Sequence, residues 1–335
     1  MTTVPLALRD FGQKWASLWK VMKDVEAGLR THAELTSLDV RLRAVLPAEY
    51  QQCYEDVQPV SMGSAGLKFD AAGRVAWDQI WDHFCDLAMA GGPPHKGKLL
   101  EPATKEAIDA QPDRYREVVR EICRALRMVS DLAVEPSPNP GWVRVTCPSP
   151  IMAGWLARAI VMENVSAYLE GSAVDLPAGP HYRLEKEVKN VVTSLAKTFH
   201  YFDGHLEPDQ QTRIASVFNE PQSPLLQPAR TTEFATNPEV VRIASESAAA
   251  RIAQQTGLPK GGAEYFGWLG VECPDVRTAI WIMRALVVNN TFARREERCL
   301  YVPVHPVLDP DGARIASVLA RVHRLASARN LTSPA

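Results

Sequence analysis

The residues best suited to chemistry fall in one loop and in two stretches that echo each other. The loop "GGPPHKGKLL" concentrates Gly91, Gly92, His95, Lys96, Gly97 and Lys98. Glycines leave backbone N–H groups open, and two lysines and a histidine beside them could cradle a phosphate or carboxylate. His95 is the group in this loop able to move a proton near neutral pH. The loop fits neither the P-loop nor the dinucleotide fingerprint, so it points to an anion without implying a cofactor. The plainer reading is a turn that ends a helix and carries solvated lysines.

The echoing stretches are "GWVRVTCPSPIMAGWLARAIVMEN" from Gly141 and "GWLGVECPDVRTAIWIMRALVVNN" from Gly267. Each brings a Cys-Pro to the expected start of a helix. Proline at the first helical position would put Cys147 and Cys273 at the N-caps, where the helix dipole favours a thiolate. "CPSPIM" resembles the Cys-Pro-x-Pro motif of TusA-like sulfur carriers, and that resemblance implies a persulfide carried on Cys147. The second copy has "CPDV", and Asp275 would oppose ionisation of Cys273, so Cys147 is the nucleophile candidate. Strand alternation gives the competing view, since Val143, Val145 and Cys147 share one face and packed thiols are common in cores.

Each echo also repeats an arginine, Arg158 and Arg284, inside an apolar helix. Eleven helical residues separate Arg158 from Cys147, roughly 16 Å, so the arginine cannot activate that thiol. A buried guanidinium needs a carboxylate, carbonyl oxygens or a ligand anion. The arginines are therefore either internal struts or paired forks for a shared anion. "HYFDGH" offers His200, Asp203 and His205, but histidines near a helix end also suit its dipole, and no metal is assigned.

The elements that must position these groups follow from the repetition. Gly141, Trp142, Val145, Cys147, Pro148, Ala153, Trp155, Arg158, Ala159, Val161, Asn164, Ala167, Pro177 and Pro180 recur 126 residues later, without a gap. "EVVR" precedes each copy, at Glu117 and Glu239. The expected fold class is α/β (α+β), with two tandem, pseudo-symmetric α-β-α-β-α repeats after a mostly helical N-terminal region. The expected bounds are 1–110 for that region, with a hairpin around "DAAG" and the Gly/Pro-rich loop. The first repeat is placed at 111–206, a connection at 207–236, and the second repeat at 237–330. A seam between paired units is a natural ligand site.

Composition bounds the rest. Of 335 residues 46% are apolar and 23% charged, as in a globular protein with a sizeable core. Lys and Arg total 37 against 39 Asp and Glu, a net charge of −2 that gives no global field for nucleic acid. No apolar run reaches the roughly 18 residues of a membrane span. With no signal-like N-terminus and no Cys-x-x-Cys among six cysteines, the thiols read as reduced and the protein as cytoplasmic. The expected function is that of a cytosolic enzyme or binding protein for a small anionic metabolite at the seam of the repeats. The alternatives are a non-catalytic scaffold that forms homo-oligomers, and a sulfur carrier or thiol enzyme using Cys147.

Overall fold

A computed structural model of the chain describes residues 6–46, 66–79, 97–219 and 223–332. The chain divides into two compact units, residues 1–41 and 42–335. The first holds most of the helix α1, Leu6–Ala44, which leaves Trp19, Val21, Met22, Val25 and Leu29 exposed. In the second, the expected "DAAG" hairpin is present as an antiparallel bridge between Phe69 and Val75. Asp70 closes it, its Oδ1 accepting from the N–H groups of Ala72 and Arg74 at 2.9 Å each.

From Lys105 onward the elements alternate. The first half holds α2 (Lys105–Ala110), α3 (Pro112–Ser130), β1 (Ala133–Pro136), β2 (Trp142–Thr146), α4 (Pro150–Met162), β3 (Tyr168–Glu170), β4 (Ala173–Pro177) and α5 (Lys189–His205). Its strands form one antiparallel sheet in the order β1-β2-β4-β3. After α6 (Pro208–Asn219) come α7 (Glu239–Thr256), β5 (Trp268–Glu272), α8 (Val276–Val288), β6 (Arg294–Glu296), β7 (Cys299–Pro303) and α9 (Ala313–Ala328). These strands make a second antiparallel sheet, β5-β7-β6. No helix among the described residues is long and apolar enough to cross a membrane.

Strands β2 and β5 form where Val143/Val145 and Leu269/Val271 stand at alternate positions, and α4 and α8 are apolar almost all round because both are buried over most of their length. Their starts differ from the sequence expectation. The N-caps are Ser149 and Asp275, whose side-chain oxygens accept from Met152 N at 3.2 Å and Thr278 N at 2.7 Å. Each cysteine lies two residues earlier, outside the helix, because a hydroxyl or carboxylate caps better than a thiol. The connection also departs from a plain loop, since it contains α6. Gly204 lies within the last turn of α5, and Leu206 caps it.

Strand registers in the two halves correspond. Trp142 pairs with Pro177 and Trp268 with Pro303, while Tyr168 faces Asp175 and Arg294 faces Tyr301, all at an offset of 126. The same offset relates two segments that the sequence reading left outside its repeats, "LLEPA" from Leu99 and "LLQPA" from Leu225. Leu100 N donates to Asn164 O at 2.8 Å, and Leu226 N to Asn290 O at 3.0 Å. Ala103 N donates to Ala178 O at 3.0 Å, and Ala229 N to Val304 O at 2.9 Å. Each segment is thus bonded between the end of a buried helix and the end of a strand.

Candidate functional site

Two glycines organise the seam between the halves. Gly141 (φ +90°) and Gly267 (φ +74°) sit in the left-handed region just before β2 and β5. A Cβ on either would lie 2.6 Å from a backbone oxygen, that of Ala103 or of Ala229. Only glycine permits both the conformation and the approach. This contact sets Pro102 and Pro228 beside the strand starts, where Trp142 and Trp268 stand.

A cavity of about 340 Å³ opens there, with Trp142, Tyr168, Phe266 and Trp268 as its aromatic walls and Glu101 and Arg230 as its charged groups. Its size falls at the lower end of small-molecule sites. Trp142/Trp268, Pro102/Pro228 and Thr104/Arg230 in its lining are all pairs at the 126-residue offset.

Arg230 is 5% exposed. Its Nη1 meets Asp175 Oδ2 at 3.2 Å, and its Nε lies 3.7 Å from Glu233 Oε1, too far for a hydrogen bond. One face of the guanidinium lies 3.3 Å over the ring centroid of Tyr168. Asp175 is shared with Arg144, whose Nε and Nη2 donate at 2.8 and 3.0 Å. This network fixes Arg230 in place. Two cavity-lining residues each hold a nitrogen that has no hydrogen-bond acceptor among the described residues, Arg230 Nε and Trp142 Nε1, and both atoms are closed to solvent.

Glu101 is anchored through its backbone, whose oxygen accepts from the Tyr182 hydroxyl at 2.6 Å. Its carboxyl is held above the ordinary range, mainly by desolvation, with Arg294 opposing and Glu296 adding to the rise. Behind Trp268, the fully buried Arg294 lies 3.9 Å from the Tyr301 ring centroid, 4.4 Å from that of Tyr265 and 5.2 Å from that of Trp268. It donates to Glu296 Oε1 at 2.8 Å and to Asn164 Oδ1 at 3.1 Å. Phe266 and Trp268 also line a larger, more open groove of about 700 Å³ running past Glu239, Arg242 and Lys260.

No family model, curated protein or solved structure matches this chain. The site must therefore be read from its own geometry.

The residues singled out from the sequence fall in several places. Gly91, Gly92, His95 and Lys96 lie outside the described residues. Lys98 is exposed, one residue before Leu99 in the cavity wall. Cys147 is 4% exposed, and desolvation pushes its thiol up to about 12, the direction opposite to an activated nucleophile. Cys273 is 2% exposed and is also pushed up to about 12 by burial. Arg158 is 3% exposed and its partners are oxygens of amides: Nη1 donates to Gly154 O at 2.7 Å and Nη2 to Asn290 Oδ1 at 2.5 Å. Its guanidinium lies 3.8 Å over Phe218, and burial pushes its pKa down to about 9. Arg284 is likewise buried. Neither arginine lines the seam cavity or the larger groove.

His200 and His205 place their Nε2 atoms 3.3 Å apart, but no group of three or more metal-ligating side chains occurs among the described residues. Arg230 and Glu101 were missed at the sequence level. The available signal was "LLEPAT" against "LLQPAR", an ungapped echo that ends on Arg230 and carries Glu101.

Proposed function

We propose that the larger unit is a tandem duplication and that it binds a small anionic metabolite in the seam cavity, as an enzyme or a binding protein. One observation carries this reading. A single cavity is lined by offset-related residues and by four aromatic rings, with Arg230 as the cationic residue among its lining. An oxygen anion would suit that guanidinium best, since hydrogen bonds to charged acceptors are the stronger ones.

Native mass spectrometry of the gently purified full chain tests this. The expected result is a retained small acid that is lost in Arg230→Met. A chain that emerges at its bare mass and shows no thermal shift with any member of a carboxylate and phosphate panel would overturn the reading.

The oligomer reading keeps one specific support, the apolar residues Trp19, Met22, Val25 and Leu29 exposed on α1. Light scattering on the full chain separates the two readings, because a homo-oligomer built on α1 should dissociate in Met22→Glu. The thiol route draws no support from the buried, high-pKa Cys147.

A further inference from the structure

Along α1, residues 19–30 are all exposed, although Trp19, Val21, Met22, Val25 and Leu29 are among them. Met22, Val25 and Leu29 follow at steps of three and four, the 3.5-residue spacing of a coiled-coil seam. The sequence carries the same steps upstream through Leu18, Trp15 and Phe11. With Met22 and Leu29 at heptad position a, Val25 falls at d, Trp19 at e and Val21 at g. The charged Lys20, Lys23, Asp24 and Arg30 take the outer positions b, c and f. Further along, Leu38 and Leu42 are buried, and helical spacing puts them on the opposite side of α1 from Met22, Val25 and Leu29. The exposed face is thus separate from the buried one.

A helix open to water on every side gains nothing from packing, and isolated helices are marginal in water. This stretch also holds Val21, Val25 and Gly28, which are weak helix formers. Its cover has to match a heptad, and another α1 does so, because one stripe complements itself under rotational symmetry. Two strands would leave positions e and g at the rim, where charged residues are the rule. Here Trp19 and Val21 hold them, with Glu26 and Gly28 one heptad on. That widens the apolar face to the width a bundle core covers. Leu29 at a with the β-branched Val25 at d also favours more than two strands. Lipid is the weaker match. Helices that lie on membranes have polar faces rich in Lys and Arg. On α1, Asp24 and Glu26 stand among Lys20, Lys23 and Arg30, and Glu26 pairs with Arg30.

We infer that α1 packs against the α1 helices of three further copies of the chain, in a four-helix bundle closed by the apolar face of residues 19–29. This rests on the oligomer reading, to which it adds the seam and the number of chains.

Light scattering after size exclusion, on the full chain, reads the assembly directly. The expected mass is four times the 37.0 kDa of one chain. Met22→Glu, in the seam, should bring it down to that of one chain. Trp19→Glu should also break the assembly, because a four-helix bundle encloses position e whereas a two-stranded coil leaves it at the rim. Lys20→Glu, on the outer face, should leave the mass unchanged. Near-ultraviolet circular dichroism of each variant separates lost assembly from lost folding of the larger unit.

The contrary results are distinct. A dimer that Trp19→Glu leaves intact overturns the four-chain bundle while the oligomer reading stands. An assembly that survives Met22→Glu is built elsewhere, and the inference falls. A single chain at every concentration overturns both the bundle and the oligomer reading. If that single chain co-sediments with phosphatidylglycerol vesicles, the face belongs to lipid. A retained small acid is read separately, by native mass spectrometry, so the seam cavity stands or falls on its own.

Discussion

At the scale of single residues, burial decides between the chemical readings. Cys147 and Cys273 are repeated, but both thiols are desolvated and pushed up to about 12. Thiolate is the reactive form, so peptides holding Cys123, Cys147, Cys273 and Cys299 should stay unlabelled by iodoacetamide at pH 8 until denaturant is added. Rapid labelling of Cys147 in the native protein would reopen the sulfur-carrier reading. Arg158 illustrates the opposite case, a charge that the fold accommodates with amide oxygens. Arg158→Ala would leave Gly154 O and Asn290 Oδ1 short of a donor and open a cavity. It should lower stability by about 2–4 kcal/mol in urea denaturation.

Glu101 gives a pH dependence whose sign is fixed by its shift. Its carboxyl binds a proton more tightly when folded than when unfolded, so protonation favours the folded state. That contribution is fully present below the unfolded pKa and is lost as pH rises through the raised folded pKa. Glu101→Gln should remove this part of the slope when denaturation midpoints are compared across mildly acidic pH.

At the scale of elements, the repeated glycines explain more than the repeated cysteines. Gly141 and Gly267 each carry a positive φ and admit a backbone oxygen within 2.6 Å of where a Cβ would stand. Gly141→Ala and Gly267→Ala should each cost about 1–3 kcal/mol or more, since strain and clash act together. They should also weaken any seam ligand, because the same contact places the two tryptophans. The helices were well marked in sequence by their apolar runs, and β2 and β5 by alternation. The strands β1, β3 and β6 were not. They have only three or four residues each, and so short a run carries almost no period of its own. Helix α6 was hidden in a Pro- and Gln-rich stretch, and it is held by tertiary contacts such as Gln210 Nε2 to the backbone of Leu46.

At the scale of the whole molecule, the two halves of residues 97–328 are tied by reciprocal polar contacts. Asn164 Nδ2 donates to Arg295 O at 2.8 Å, and Gln227 exchanges bonds of 3.0 and 3.1 Å with the backbone of Leu169. Asn290 accepts from Arg158 and donates to Ser223 O at 2.8 Å. With such ties the halves should unfold together, in one calorimetric transition. Asn290→Ala breaks contacts across the seam as well as a left-handed position, φ 56°, so it should lower that transition as a whole. Two resolved transitions in the unaltered chain would show instead that the halves are independent.

The sequence alone determined the recurrence at 126 residues and the buried character of α4 and α8. Those are properties of spacing and of side-chain polarity, which need no partner to be read. It singled out Trp142, Arg158 and Arg284 by repetition, but repetition cannot tell a strut from a binding group. Tertiary structure decided that Arg158 donates to amide oxygens while Arg230, whose counterpart at the 126-residue offset is Thr104, stands at the cavity. The physical reason is that a charge's role depends on which acceptors the fold brings within reach. For Arg230 the nearest are Asp175 and Glu233, and the buried Nε that neither carboxylate bonds is set by the packing of "LLQPAR" against β3 and β4.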